Sequence, residues 1–188
     1  VDYEEGFIGH SLRKCEAVCD CSEIDDIICF FSTGKMMITK IADKKFVGKD
    51  MIYAHVWKKG DKRKIYHMIY QDGRGGQSMM KRFYVNSITR DTEYDLTKGS
   101  KSSKVHYFSA HPNGEREVVN VILRPRPHLK KSKFEVDFGE LLIKGRKSVG
   151  NRVTKELIQK VVLKELGGST LAARKIWYDQ TVTRLNDE

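Results

Sequence analysis

Several things are scarce in this 188-residue sequence, and each shortage excludes something. No run of 18 apolar residues occurs and mean hydropathy is -0.52, so no segment is expected to cross a membrane as a helix. The first residues, Val1 to His10, are acidic and carry neither an initiator Met nor a basic-then-apolar leader. The expectation is an excised fragment or processed product without a secretory signal. Catalytic patterns are missing too. The six histidines (His10, His55, His67, His106, His111, His128) form no H-x3-H or HExxH pair, and no GxSxG elbow occurs. The Gly-rich stretch QDGRGGQS (Gln71–Ser78) lacks the Lys-Ser/Thr with which a Walker loop holds phosphate and magnesium. The adjacent acids Glu4-Glu5 and Asp25-Asp26 would face opposite sides of a strand, which makes each a poor acid/base couple. Four cysteines, Cys15, Cys19, Cys21 and Cys29, are spaced C-x3-C-x-C-x7-C without the paired C-x2-C knuckles of a zinc site. No metal and no cofactor is therefore expected. Cys29 lies in the apolar run IICFF and reads as core. Crowded thiols of this kind are unlike an extracellular disulfide framework, so a reducing cytoplasm is expected.

What the sequence has is charge and β-type runs. Hydrophobic residues make up 39% and charged residues 32%, enough of the former for a globular core. The net charge is +10, but it is polarised. Residues 1–30 hold two basic and eight acidic residues, a net of -6, which leaves +16 on the remainder. Such a remainder points to a polyanionic partner. The strand runs come in pairs around glycine. Ile27–Ser32 and Lys35–Ile41 flank Gly34, Ile65–Tyr70 and Met79–Val85 flank Gly73, and Val105–Ser109 and Glu117–Leu123 flank Gly114. Three hairpins are expected, with turn glycines 39 and 41 residues apart, the spacing of a repeat array. An apolar-Thr-basic triplet recurs at residues 38–40, 88–90, 96–98, 153–155 and 182–184, and at a strand end it would place a cation at the rim. Asn151–Leu166 has apolar residues at helical spacing before Gly167-Gly168, yet is rich in β-branched residues, so pattern alone leaves helix and strand open. Pro125 and Pro127, two of only three prolines, lie in RPRPHLKKSK (124–133), read as an extended basic connector.

Anion binding is the chemistry these residues favour. Lys35 and Lys40 bracket the second run of the first hairpin. Gln71–Ser78 carries Arg74, with Lys81 and Arg82 just beyond, and its glycines would let backbone N–H groups approach phosphate. Arg124 and Arg126 sit in the Pro-containing stretch. Lys144–Lys155 (KGRKSVGNRVTK) holds Lys144, Arg146, Lys147, Arg152 and Lys155 with no acid between them. Most aromatics lie inside strand runs and read as core, and neither an RRM-type aromatic signature nor a helix–turn–helix cue occurs. Electrostatic, sequence-tolerant binding to a duplex backbone is what these cations imply. Two other readings fit the same charge: a propeller-like scaffold meeting an acidic protein partner, or an RNA-binding β module.

The stretches IICFFSTGKMMITK, MIYQDGRGGQSMMKRFYV and FEVDFGELLIKGRKSVGNRVTK resemble the C-terminal domain of the A-type chain of bacterial type IIA topoisomerases, topoisomerase IV or DNA gyrase, of the Bacteroides group. KGRKSVGNRVTK is similar to that family's recurrent G-R-x-x-x-G-x-R element. The resemblance implies an all-β fold, a propeller-like β-pinwheel of four-stranded antiparallel blades that exchange a strand between neighbours. It would be a partial array of about three to four blades spanning residues 1–188. Residues 1–25 would be an acidic lead-in to the first blade, 26–166 the main blades and 167–188 the start of a further one. It also implies strand at Asn151–Leu166 and a non-catalytic role. The chain would bend or wrap double-stranded DNA for an ATP-dependent type II topoisomerase. Its partners would be the topoisomerase catalytic core, which carries the cleavage tyrosine, and the ATPase B subunit, in the cytoplasm at the nucleoid. The isolated domain is expected to be monomeric. Two departures qualify the likeness. The gyrase box Q-R-R-G-G-R/K-G is replaced by QDGRGGQ, which favours a topoisomerase IV-like role over strong wrapping, and the A-A-M-R-Y-T motif of the cleavage tyrosine is absent.

Overall fold

A computed structural model describes residues 1–171. They form sheets that are antiparallel except for one two-residue parallel pairing at Lys144-Gly145, built from one repeated unit, a hairpin followed by a short excursion strand and a returning strand. A brief strand β1 (Phe7–Ile8) precedes the first unit. In that unit, β2 (Asp26–Phe31) and β3 (Lys35–Lys40) form the hairpin, β4 (Lys45–Phe46) is the excursion and β5 (Met51–Trp57) returns to pair with β2. The second unit repeats this with β6 (Ile65–Gln71) and β7 (Ser78–Tyr84), the excursion β8 (Tyr94–Asp95), and β9 (Lys104–His111) returning onto β6. In the third unit β10 (Glu115–Leu123) pairs with β11 (Lys133–Asp137). Its excursion is split into β12 (Lys144–Gly145) and β13 (Asn151–Thr154), and β14 (Ile158–Ser169) returns onto β10.

Each excursion strand leaves its own unit. β8 completes the first sheet by pairing with β3, and β12 and β13 complete the second by pairing with β7. β4 pairs with β1, so the N-terminal segment stands where a preceding unit would be. The sheets are therefore β5-β2-β3-β8, then β9-β6-β7 with β12 and β13, then β14-β10-β11. Among the described residues none closes on itself.

Period-2 alternation explains the layering, because β2, β6 and β7 are buried on both faces. Ile28 and Phe30 of β2 meet Tyr66, Met68 and Tyr70 of β6 in an aromatic core between the first and second sheets. On the other face of β2, Ile27, Cys29 and Phe31 pack under the N-terminal segment with Ile8. Burial pushes the Cys29 thiol up to about 12, as expected of a core cysteine. Ile69 and Met80 point the opposite way from Tyr70, into a core with Val119, Val121, Leu123 and Phe138 of the third unit.

Two expectations need correction. His111–Gly114 is not a hairpin turn, since β9 and β10 belong to different sheets and the chain crosses between them there. The third hairpin turn is the Pro-containing stretch, closed by Leu123 N–H on the Ser132 carbonyl at 2.8 Å. RPRPHLKKSK is thus a hairpin tip rather than a connector. The strand that the resemblance implies at Asn151–Leu166 is present as β13 and β14, interrupted at residues 155–157, and Gly167-Gly168 lie inside β14. Among the apolar-Thr-basic triplets, 38–40 ends β3 and Val153-Thr154 ends β13, 88–90 and 96–98 lie outside strands, and 182–184 lies outside the described residues.

Candidate nucleic-acid interface

The three hairpin turns lie at one end of the sheets, and a chain of contacts links them. Leu96 N–H donates to the Gly34 carbonyl and Val105 N–H to the Ser32 carbonyl, which ties the first turn to the residue after β8 and to the start of β9. Gly34 has φ +80°, and a Cβ there would sit 2.3 Å from a Thr97 methyl carbon, so the close approach needs glycine. Gly73 in the second turn donates its N–H to Ser103 Oγ at 3.0 Å. β13 lies against the start of β7, with Thr154 opposite Ser78. Arg124 N–H donates to the Leu157 carbonyl at 2.9 Å, which brings in the third turn.

Exposed cations follow this row: Lys35, Arg74, Lys98, Lys101, Lys104, Arg124, Lys130, Lys131, Arg152 and Lys155. Fewer acids share that end. Glu93 pairs with Lys35 at 3.4 Å and Glu156 with Arg126 at 2.6 Å, Asp50 accepts from the Thr33 hydroxyl, Asp95 stands opposite Lys35, and Asp72 lies in the second turn. Burial lowers the pKa of His106, and the nearby charges of Lys104 and Arg124 lower it further, so the cationic potential extends inward from the tips. The opposite end mixes signs. There Lys58 and Lys64 line one cavity with Asp20, Asp25 and Asp61, and Arg90 makes a bidentate pair with Asp26.

KGRKSVGNRVTK forms a strap along the free edge of β7. Its carbonyls point inward: Tyr70 Oη donates to the Val149 carbonyl at 2.8 Å, and Lys81 Nζ to those of Arg146 and Ser148 at 2.8 and 2.9 Å. Gly150, at φ +91°, crosses so close to β7 that a Cβ would meet the Met80 carbonyl oxygen at 2.2 Å. The side chains therefore turn outward. Lys144, Lys147, Arg152 and Lys155 are exposed, and the Arg146 guanidinium lies 4.1 Å from the centre of the Tyr94 ring on β8. Hydrogen bonding by the side chain and then the backbone N–H of Thr89, with Arg146 and Lys147 nearby, lowers the Tyr94 pKa.

The twelve cations expected to contact phosphate thus divide. Lys35, Arg74, Arg124, Arg126, Arg152 and Lys155 lie at the tips, and Lys144, Arg146 and Lys147 on the strap. Lys40 ends β3 at the far end from Lys35 and stands apart from the others. Lys81 and Arg82 are corrected, being 2% and 3% exposed. β7 is covered on both faces, so its alternating side chains enter the two cores whatever their charge. The Gly-rich turn also differs from a phosphate cradle, since the N–H groups of Gly73 and Gly76 are bonded within the protein. Lys98, Lys101, Lys104, Lys130 and Lys131 fall outside the expected set. Leu96–Gly114 contains no acid, the same signal that marks the strap, and it would have found the first three.

Arg82 belongs to a buried polar cluster between the second and third sheets. Its Nε donates to His67 Nε2 at 3.1 Å, and another guanidinium nitrogen to the Gly114 carbonyl at 2.9 Å. His67 Nδ1 faces Glu117 Oε2 at 2.8 Å, so His67 donates there and accepts from Arg82. Glu117 also accepts from the Tyr107 and Ser109 hydroxyls, each at 2.6 Å, and lies 3.2 Å from His111 Nε2. Burial holds the His67 pKa down at about 4. These donors hold the Glu117 carboxyl far below the usual range, outweighing its own desolvation. His67, His111 and Glu117 have the composition of a metal-ligand set. However, Arg82 places a cation where a ligating histidine would face an acceptor, so the cluster reads as charge compensation for a buried carboxylate.

Residues 1–165 match the family described as "Topoisomerase C-terminal domain, Bacteroidota". The A-type chain of DNA topoisomerase 4 from Borreliella burgdorferi is 26% identical over 161 residues, which cover 85% of this chain and 24% of that protein. The chain thus spans about a quarter of the length of that relative. With the match running from Val1 to the middle of its last described strand, the chain belongs to the Bacteroidota family of topoisomerase C-terminal domains.

Proposed function

We propose that this chain grips the sugar-phosphate backbone of duplex DNA along the hairpin-tip end and the strap, and bends the duplex there, without chemistry of its own. The observation that carries the reading is the gathering of exposed cations from all three units at one end, while the opposite end mixes both signs. Cations fixed on rigid turns neutralise phosphates and release counterions, giving affinity that is tolerant of sequence. Sequence preference would come from the cost of bending each duplex. The unit-to-unit strand exchange supports a pinwheel-like disc whose rim carries the duplex. Within a parent topoisomerase chain of the A type, the domain would present DNA to a cleavage core working with the ATPase B subunit in the cytoplasm at the nucleoid. A topoisomerase IV-like role fits the sequence of the Gly-rich turn.

Energy transfer between dyes at the two ends of a duplex tests this reading. Bending shortens the end-to-end distance on binding. Binding without shortening would leave an undistorted electrostatic contact, and tighter binding to single-stranded RNA would favour the RNA-module reading. Binding only to acidic proteins would favour the scaffold.

A further inference from the structure

Lys81, a surface cation by sequence pattern, lies in the interior. Its side chain runs along β7 into the aromatic core, with Nζ 4.6 Å from the centre of the Phe83 ring. Nζ donates to three backbone carbonyls, those of Leu96 at 2.7 Å, Arg146 at 2.8 Å and Ser148 at 2.9 Å. An ammonium has three N–H donors, and all three are used here. The acceptors come from two excursion segments that are distant in sequence. Leu96 follows β8, which completes the first sheet, while Arg146 and Ser148 belong to the strap on the second.

We propose that Lys81 is a positioning residue for the duplex-contact surface: its buried ammonium pins the strap to β7 and to the end of β8, and so fixes where Arg146 and Lys147 face. The inference deepens the reading given under Proposed function and rests on it. The strap pairs with β7 only through Lys144-Gly145 and Asn151–Thr154. The stretch between them is held by Lys81, by the Tyr70 bond to Val149, and by the turn from Ser148 N–H to the Gly145 carbonyl. Without Lys81, two inward carbonyls of this stretch would lose their partner, and the stretch would rotate to find water. Arg146 would then leave the Tyr94 ring. The charges that face the ammonium are Asp95, on β8, and Arg146, on the strap. Burial brings its pKa down to about 7, so the amine loses one of its three donors close to neutral pH.

A binding cycle on the 188-residue chain tests the pin. Lys81→Met removes the ammonium and keeps the length of the side chain. Arg146→Gln with Lys147→Gln removes the charges that the pin positions. Alone, Lys81→Met should weaken duplex affinity by about tenfold, although the residue cannot touch DNA. In the Arg146→Gln/Lys147→Gln background it should cause less than about a twofold further loss, because its effect passes through those two side chains. Wild-type affinity should decline from about pH 6 to about pH 8, and that of Lys81→Met should not. Amide exchange at Arg146 through Val149 should speed up in Lys81→Met while exchange in β2 and β6 stays unchanged.

Tyr70→Phe removes one bond to the same strap and keeps the ring. It should act in the same direction with a smaller effect, and it carries the test if Lys81→Met does not fold. Equal losses in both backgrounds, with strap exchange unchanged, would overturn the pin. If the wild type fails to bind duplex DNA, the functional reading fails, and strap exchange alone still decides whether Lys81 holds the strap.

Discussion

The two seams between sheets solve the same packing problem with opposite chemistry. Between the first and second sheets, Phe30, Tyr53, Tyr66, Phe83 and Phe108 form a ring cluster with centroid distances from 4.4 to 6.3 Å. Between the second and third sheets, an apolar patch around Val119 and Phe138 is shared with the buried cluster of Arg82, His67, His111 and Glu117. Stacked rings tolerate small shifts, and each ring adds area and about 0.5–1.5 kcal/mol of ring-pair energy. A buried carboxylate and guanidinium tolerate none, because each is stable only while all its partners stay in place. The aromatic seam is thus expected to yield gradually to change, and the polar seam abruptly.

Substitutions can break that comparison. The largest effect is expected at Glu117→Ala, which strands Arg82 and the two histidines without their carboxylate. Urea denaturation should show a loss of about 3–5 kcal/mol. Phe30→Ala should cost about 3–4 kcal/mol through the cavity it leaves in the aromatic seam. The seams should then separate by pH. Folded His67 titrates at about 4, against the unperturbed 6.5 for an unfolded chain, so the unfolded state binds the extra proton as pH falls from about 6.5 to about 4. Stability should decline across that window by roughly 1.4 kcal/mol per pH unit for this one group. Below it, Glu117, whose folded pKa is also depressed, adds to the loss. Phe30→Ala should keep this acid sensitivity, whereas Glu117→Ala should change its shape, as measured by denaturation midpoints at several pH values. The smallest effect is expected at Arg126→Ala. That ion pair is 61% exposed on its arginine side, and its loss should cost under about 1 kcal/mol.

Much of the aromatic seam is legible in the sequence, because IICFF, IYHMIY and MMKRFYV are β-type runs set beside the turn glycines Gly34 and Gly73 and so mark hairpin strands. The polar seam is not. Its residues come from β6, β7, β9 and β10, and nothing in a local pattern marks Glu117 or His67 as partners 50 positions apart. Period-2 alternation puts Lys81 and Arg82 on opposite faces of β7 but cannot say that both faces are covered. The 39-residue step from Gly34 to Gly73 reflects a true repeat. The next step misleads, because the third hairpin turn is nine residues of basic, Pro-containing chain with no glycine, while Gly114 merely lets the chain cross between sheets. The strap is legible because an acid-free run of cations needs no partner strand to be noticed.

Salt dependence of duplex binding tests the central claim most directly. A row of fixed cations on hairpin tips should give log affinity that falls linearly with log salt, with a slope of roughly -0.9 for each phosphate neutralised. Arg146→Gln/Lys147→Gln should make that slope shallower by about two contacts. A wild-type affinity indifferent to salt, or a slope that the double substitution leaves unchanged, would contradict it.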